Sequence, residues 1–193
     1  YARTNGILCV GPYHNYSCTF NTFFGKCGGN DLSTGQTNIA IGPYSQATVS
    51  AGTLNTSIGS SAMKNNVLGC NSIAIGTRAL YTNAGCSTVA IGTYAMKCST
   101  VTGLNNIGIG SRTAYNLRYG ASNNVFIGTK VSYELNCTAG YMNVAIGYGA
   151  MCKLAGSDNI ALGRYSLRNG GGNCNVAIGK DALKCSCGGG KNI

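Results

Sequence analysis

The chain has no tryptophan, only two prolines and a single histidine, His14. Its acidic residues number four: Asp31, Glu134, Asp158 and Asp181. One imidazole and four scattered carboxylates supply neither a Ser-His-Asp set nor a carboxylate pair for acid–base work, so no enzyme is expected. Charge of any kind is scarce: 9% of residues are charged, against about 25% in an ordinary soluble domain. Apolar runs near the roughly 18 residues needed to cross a bilayer are absent, so membrane insertion is not expected. No Cys-x-x-Cys occurs, and Cys185-x-Cys187 has no second close pair, which leaves no metal site. The runs Gly170–Gly172 and Gly188–Gly190 do not follow the phosphate-cradling pattern, and no cofactor is implied.

What is present points elsewhere. Thirty glycines accompany a hydrophobic content of 44%, enough apolar surface to exclude a disordered chain. Fourteen basic residues against four acidic ones give a net charge of +10, which favours anionic partners such as acidic glycans, nucleic acid or an anionic surface.

One phrase recurs along the chain: Asn38-Ile-Ala-Ile-Gly42, Ser72-Ile-Ala-Ile-Gly76, Thr88-Val-Ala-Ile-Gly92, Asn106-Ile-Gly-Ile-Gly110, Asn143-Val-Ala-Ile-Gly147 and Asn175-Val-Ala-Ile-Gly179. With variants at Gly11, Gly25, Gly59, Gly128 and Gly163, the marker glycines stand 14 to 19 residues apart. A fixed period of this kind is the signature of a solenoid. The fold expected is all-β: a parallel β-solenoid of about eleven coils with a period near 17 residues, forming one domain over 1–193. Within it, 1–30 are irregular leading coils, 31–187 regular coils, and 188–193 the glycine-rich start of a further coil. Because the chain opens at Tyr1 inside repetitive sequence and closes on Lys191-Asn192-Ile193, it reads as a piece of something longer.

The five-residue phrase alternates as a strand does. The expected placement is the two aliphatic residues of Ile39-Ala40-Ile41 inward and the small residue outward, with Ala or Gly in that slot admitting a neighbouring surface. After the glycine turn, pairs such as Ala62-Met63, Ala79-Leu80 and Ala182-Leu183 suggest a second short strand whose Leu or Met reaches the interior. The recurring Asn fits either an amide ladder along the rod or a turn-favouring residue.

The phrase Asn-x-Val/Ile-Ala-Ile-Gly-x-x-Ala/Ser, seen at Asn143–Ala150 and Asn38–Ser45, resembles the head repeats of trimeric autotransporter adhesins of the YadA type and related phage and viral fibre proteins. The resemblance runs over nearly the whole chain. It implies a left-handed β-roll, a homotrimer, and attachment to a surface ligand from an extracellular or virion surface. Two departures stand out: a longer period than in the bacterial heads, and eleven cysteines. Cysteines are a hazard in an oxidising periplasm, so they favour a viral fibre assembled in a reducing cytosol.

Cys70 and Cys86, at nearly the same coil phase, come within disulfide reach when coils stack. Cys137 with Cys152, and Cys174 with Cys185 or Cys187, are further candidates; the alternative is free loop thiols. Two stripes of tyrosine and basic residues also share a phase. Two residues after the marker stand Tyr13, Tyr44, Arg78, Tyr94, Arg112, Lys130 and Tyr165; five after it stand Lys64, Tyr81, Lys97, Tyr115, Tyr133, Arg168 and Lys184. Such stripes suit sugar rings and acidic groups, or simply keep a rod soluble. A nucleic-acid partner is the weaker reading, since no recognised module is present. The function expected is a surface fibre or adhesin segment presenting a ligand-binding face; the alternative is a structural filament or spacer without a ligand.

Overall fold

The structure, a computed structural model, describes residues 2–3, 7–10, 20–29, 34–48, 51–82, 85–98, 103–117, 120–133, 140–153, 156–185 and 189–193. Each repeat phrase forms a short strand. In chain order these are β1 (Ala2–Arg3), β2 (Ile7–Val10), β3 (Thr22–Phe24), β4 (Ile39–Ile41), β5 (Thr56–Ile58) and β6 (Ile73–Ile75). They continue as β7 (Val89–Ile91), β8 (Ile107–Ile109), β9 (Val125–Ile127), β10 (Val144–Ile146), β11 (Ile160–Leu162) and β12 (Val176–Ile178). All lie in one sheet in sequence order. β1 meets β2 antiparallel, and from β2 onward every strand pairs parallel with the next. Equal phases align, as in Ala74 with Ala90 and Ala145 with Ala161. The protein is a β-solenoid with the period near 17 that the glycines mark.

The strand faces are the reverse of the sequence expectation. The small central residue points inward: Ala40, Ala74, Ala90, Ala145 and Ala161 are fully buried. The flanking aliphatics face out, with Ile39 at 41% and Ile75 at 37% of full exposure. The cause is room. The opposite arm of most coils fills the interior with one large side chain, such as Met63, Leu80, Met96, Met151 or Leu167, all buried. Only a small residue fits against it.

The exceptions obey the same volume rule. Phe23 fills its slot opposite Gly29, where an added Cβ would lie 2.6 Å from the Phe23 ring. Phe126 faces an arm that carries Ala114 and Ser132 in place of Leu or Met. Gly108 yields to Met96, whose Cγ would sit 2.9 Å from a Cβ there. Where Ser57 replaces alanine, the opposing residue is Gln46, which donates to the serine hydroxyl at 3.0 Å, and Ser45 Oγ lies 2.6 Å away. The Gln46 amide nitrogen is thus satisfied in the interior, while its Oε1 has no hydrogen-bond partner among the described residues.

That second arm is a stack of turns and not the short strand expected. Residues two and four positions past the marker take positive φ, as in Tyr94 (59°) and Met96 (49°). Its backbone still bonds from coil to coil: Met63 N–H to Ala79 O at 2.9 Å, Leu80 N–H to Ala95 O at 3.0 Å. The marker glycines sit directly on one another. With φ of 132° at Gly92 and the Gly110 carbonyl 2.5 Å from any Cβ built there, no other residue fits this corner.

At the third corner the asparagines form a ladder. Asn55 N–H donates to Asn38 Oδ1 at 3.0 Å and Asn55 Nδ2 to Gly69 O at 2.7 Å. The pattern recurs through Asn124, Asn143, Asn159 and Asn175. Ser72 substitutes its hydroxyl, accepting from Thr88 N–H at 3.2 Å. Asn55 is buried in this ladder, so its Asn-x-Ser sequon is not available for modification in the folded rod. Cys70 and Cys86 form a disulfide between successive coils, with Cα atoms 4.6 Å apart. Cys152 is a buried thiol and Cys174 an exposed one, so no disulfide joins Cys174 to Cys185. Their proposed partners Cys137 and Cys187, like Tyr13 and His14, lie outside the described residues.

Candidate binding face

The two arms enclose the core between them, so their outer surfaces point apart. The strand arm turns two columns of Ile, Val and Leu outward. The turn arm turns out the tyrosines and basic residues, because residues four past the marker (Met63, Leu80, Met96) occupy the interior and those at two and five point away from it.

The two stripes merge into one band. Lys64 lies over the Tyr44 ring at 5.3 Å. Arg78 sits 6.0 Å from the Tyr81 ring centre and 5.8 Å from that of Tyr94. Lys97 approaches Tyr94 at 5.5 Å and Tyr115 at 5.3 Å, and Arg112 approaches Tyr94 at 6.0 Å. The rings run on, Tyr94 to Tyr115 at 6.3 Å and Tyr115 to Tyr133 at 5.4 Å. Lys97 Nζ donates to the Tyr115 hydroxyl at 3.1 Å; that bond, opposed by slight burial, raises the lysine above its ordinary value. A shallow hollow of about 240 Å³ opens among Arg78, Tyr94, Lys97, Arg112, Tyr115 and Tyr133.

Further along, Lys130, Tyr133, Tyr148, Tyr165 and Arg168 border a second hollow of about 120 Å³. Arg164 lies 4.9 Å, Arg168 4.7 Å and Lys184 5.4 Å from the Tyr165 ring. A hydrogen bond from Arg164, helped by the charges of Arg164 and Arg168 against partial desolvation, holds the Tyr165 phenol below its ordinary value. Lys184 also pairs with Asp181 at 2.9 Å, and its hydrogen bond depresses that carboxyl.

Thirteen of the fourteen tyrosine and basic positions read from the two phases therefore fall on this band; Tyr13 lies outside the described residues. Two members escaped that reading: Tyr148, edge-on to Tyr165 at 5.4 Å, and Arg164, which lies over both rings. Each stands one residue past its marker glycine, so the same period read at that position finds them. Among the described residues no cluster of three metal-ligating side chains occurs, and no helix is long and apolar enough to cross a membrane.

The geometry defines a β-solenoid repeat protein with one aliphatic face and one tyrosine–cation face. No protein-family model, curated protein or solved structure matches the chain.

Proposed function

We propose that the chain is a segment of a non-catalytic surface fibre or adhesin that extends a rod and presents its tyrosine–cation face to host or cell-surface ligands. In this reading it is a homotrimer of left-handed rolls of about eleven coils each, working outside the cell or on a virion. The observation that carries the proposal is the division of labour between the faces. The column from Ile41 to Ile178 is aliphatic on every strand and the column from Ile39 is interrupted only by Thr56; together they make a strip about 40 Å long at the usual spacing between strands. A strip of that extent marks an interaction surface, and neighbouring copies packed on it leave the basic face outward. The interface proposed is thus the isoleucine columns, not the alanine slot, which the core occupies.

A glycan array and a cell-binding assay with the Tyr94→Ala/Arg112→Ala variant test the ligand-presenting role. Binding by the parent chain that falls about tenfold or more in the variant is expected from losing an aromatic–cation pair and its charge-assisted contacts. A parent chain that binds no glycan and no cell contradicts it and leaves a spacer.

A further inference from the structure

The cations of the band are not spread evenly. They gather around two tyrosines. Tyr94 has Arg78, Lys97 and Arg112 within 6.0 Å of its ring centre; Tyr165 has Arg164, Arg168 and Lys184 within 5.4 Å. Like charges so gathered repel, and a cation over an exposed ring recovers only about 0.5–1 kcal/mol. At Tyr165 a carboxylate, Asp181, neutralises Lys184, yet the buried Nε of Arg168 has no hydrogen-bond partner among the described residues. Around Tyr94 no carboxylate pairs with the three cations among the described residues, and a hollow opens among them. Donors are in excess at both knots: three cations meet one carboxylate at Tyr165 and none at Tyr94 among the described residues.

Their spacing follows from the stack. The markers run Gly92, Gly110, Gly128, Gly147, Gly163, so four steps between coils separate the knots by about 19 Å. Lys130 stands between them at the same phase as Arg112. The ring faces are already taken by Arg and Lys. What the band offers a ligand is therefore clustered positive charge with phenol edges and hydroxyls, not free aromatic faces on which nucleic-acid bases could stack.

Resting on the ligand-presenting reading above, we infer that the ligand is a linear sulfated polysaccharide lying lengthwise on the turn arm, with clusters of anionic groups seated at the Tyr94 and Tyr165 knots together. Arginine accepts sulfate through paired N–H donors. One chain engaging both knots gains by effective concentration, which neither knot alone provides.

The test titrates the intact chain with a fully sulfated heparin-type disaccharide, able to reach one knot, and with the dodecasaccharide, able to reach both. The dodecasaccharide is expected to bind at least about a hundredfold more tightly. Arg78→Gln/Arg112→Gln should lower its affinity by about tenfold or more. Lys26→Gln/Lys191→Gln removes the same net charge from exposed positions outside the two knots and should change affinity less than about twofold. All four substitutions are at exposed side chains, and unchanged melting verifies the fold.

Equal losses in the two variants mean that net charge alone attracts the polymer and overturn the inference. So does a dodecasaccharide no tighter than the disaccharide. Single-stranded DNA that displaces the dodecasaccharide at equal concentration replaces it with a nucleic-acid reading. If the parent chain binds cells but no sulfated polysaccharide, this inference fails while the surface-adhesin reading stands.

Discussion

At the residue scale, the asparagine column shows how a rod of few charges specifies its register. Asn143 Nδ2 donates to Asn124 Oδ1 at 3.1 Å and to Gly156 O at 3.0 Å, and its Oδ1 accepts from Asn159 N–H at 3.1 Å. Asn143→Ala leaves the buried Asn159 N–H and the half-buried Gly156 carbonyl unpaired, a loss of about 2–6 kcal/mol at about 1–3 kcal/mol per group. Asn143→Ser should lose clearly less, because Ser72 already serves as acceptor at this corner. Urea melts of the two variants decide this, and equal losses would contradict the ladder's role. Tyr165 gives a second check. Its phenol is depressed, chiefly by the hydrogen bond from Arg164, so it ionises earlier than an ordinary tyrosine as pH rises. A depressed acid contributes stability above its unfolded value and loses it as pH falls through the folded one, so the effect belongs to alkaline solution and is absent at neutrality. In an ultraviolet titration Arg164→Gln should move the first tyrosine step to higher pH; an unmoved step contradicts the assigned cause.

At the scale of the element, the period, the strands and their parallel register were legible because every coil repeats the same local instruction: an alternating triplet, then a glycine at a corner with room for nothing larger. Which face turns inward was not. Placing Ile39 and Ile41 inside assumes that the larger apolar residues fill the core, and that assumption fails in a coil this narrow. One Leu or Met from the turn arm already occupies the space, as Leu80 and Met96 do. The volume rule was nonetheless written in the sequence, because the slot residue and its opposite vary together: Phe23 with Gly29, Gly108 with Met96, Ser57 with Gln46. The turn arm was misread as strand for a related reason. Alternate positive φ values at Arg78 and Leu80, or Tyr165 and Leu167, let side chains alternate in and out as a strand's do, so pattern alone does not separate the two. The tyrosine–cation band was legible from phase, except where Tyr148 and Arg164 stand one residue nearer the glycine. Of the cysteine pairings read from phase, Cys70 with Cys86 forms; Cys137 and Cys187 lie outside the described residues.

At the scale of the whole molecule, the aliphatic strip is the feature a single chain does not explain. Exposed Ile39, Ile73, Ile146 and Ile160 remain in contact with water unless another surface covers them, and packing copies together along the strip removes that apolar area at about 25 cal/mol per Å². Assembly along the strip buries no charge from these strands, since no charged residue lies in strands β3 to β12. The disulfide joins two coils of one chain, so reductant should leave the assembly intact. The most direct measurement is native mass at micromolar concentration, with and without reductant, on the parent chain and on Ile91→Lys/Ile109→Lys in adjoining strands β7 and β8. The predicted result is a trimer for the parent under both conditions and a folded monomer for the variant. A parent chain that stays monomeric, or a variant that assembles unchanged, would contradict assembly through the isoleucine face.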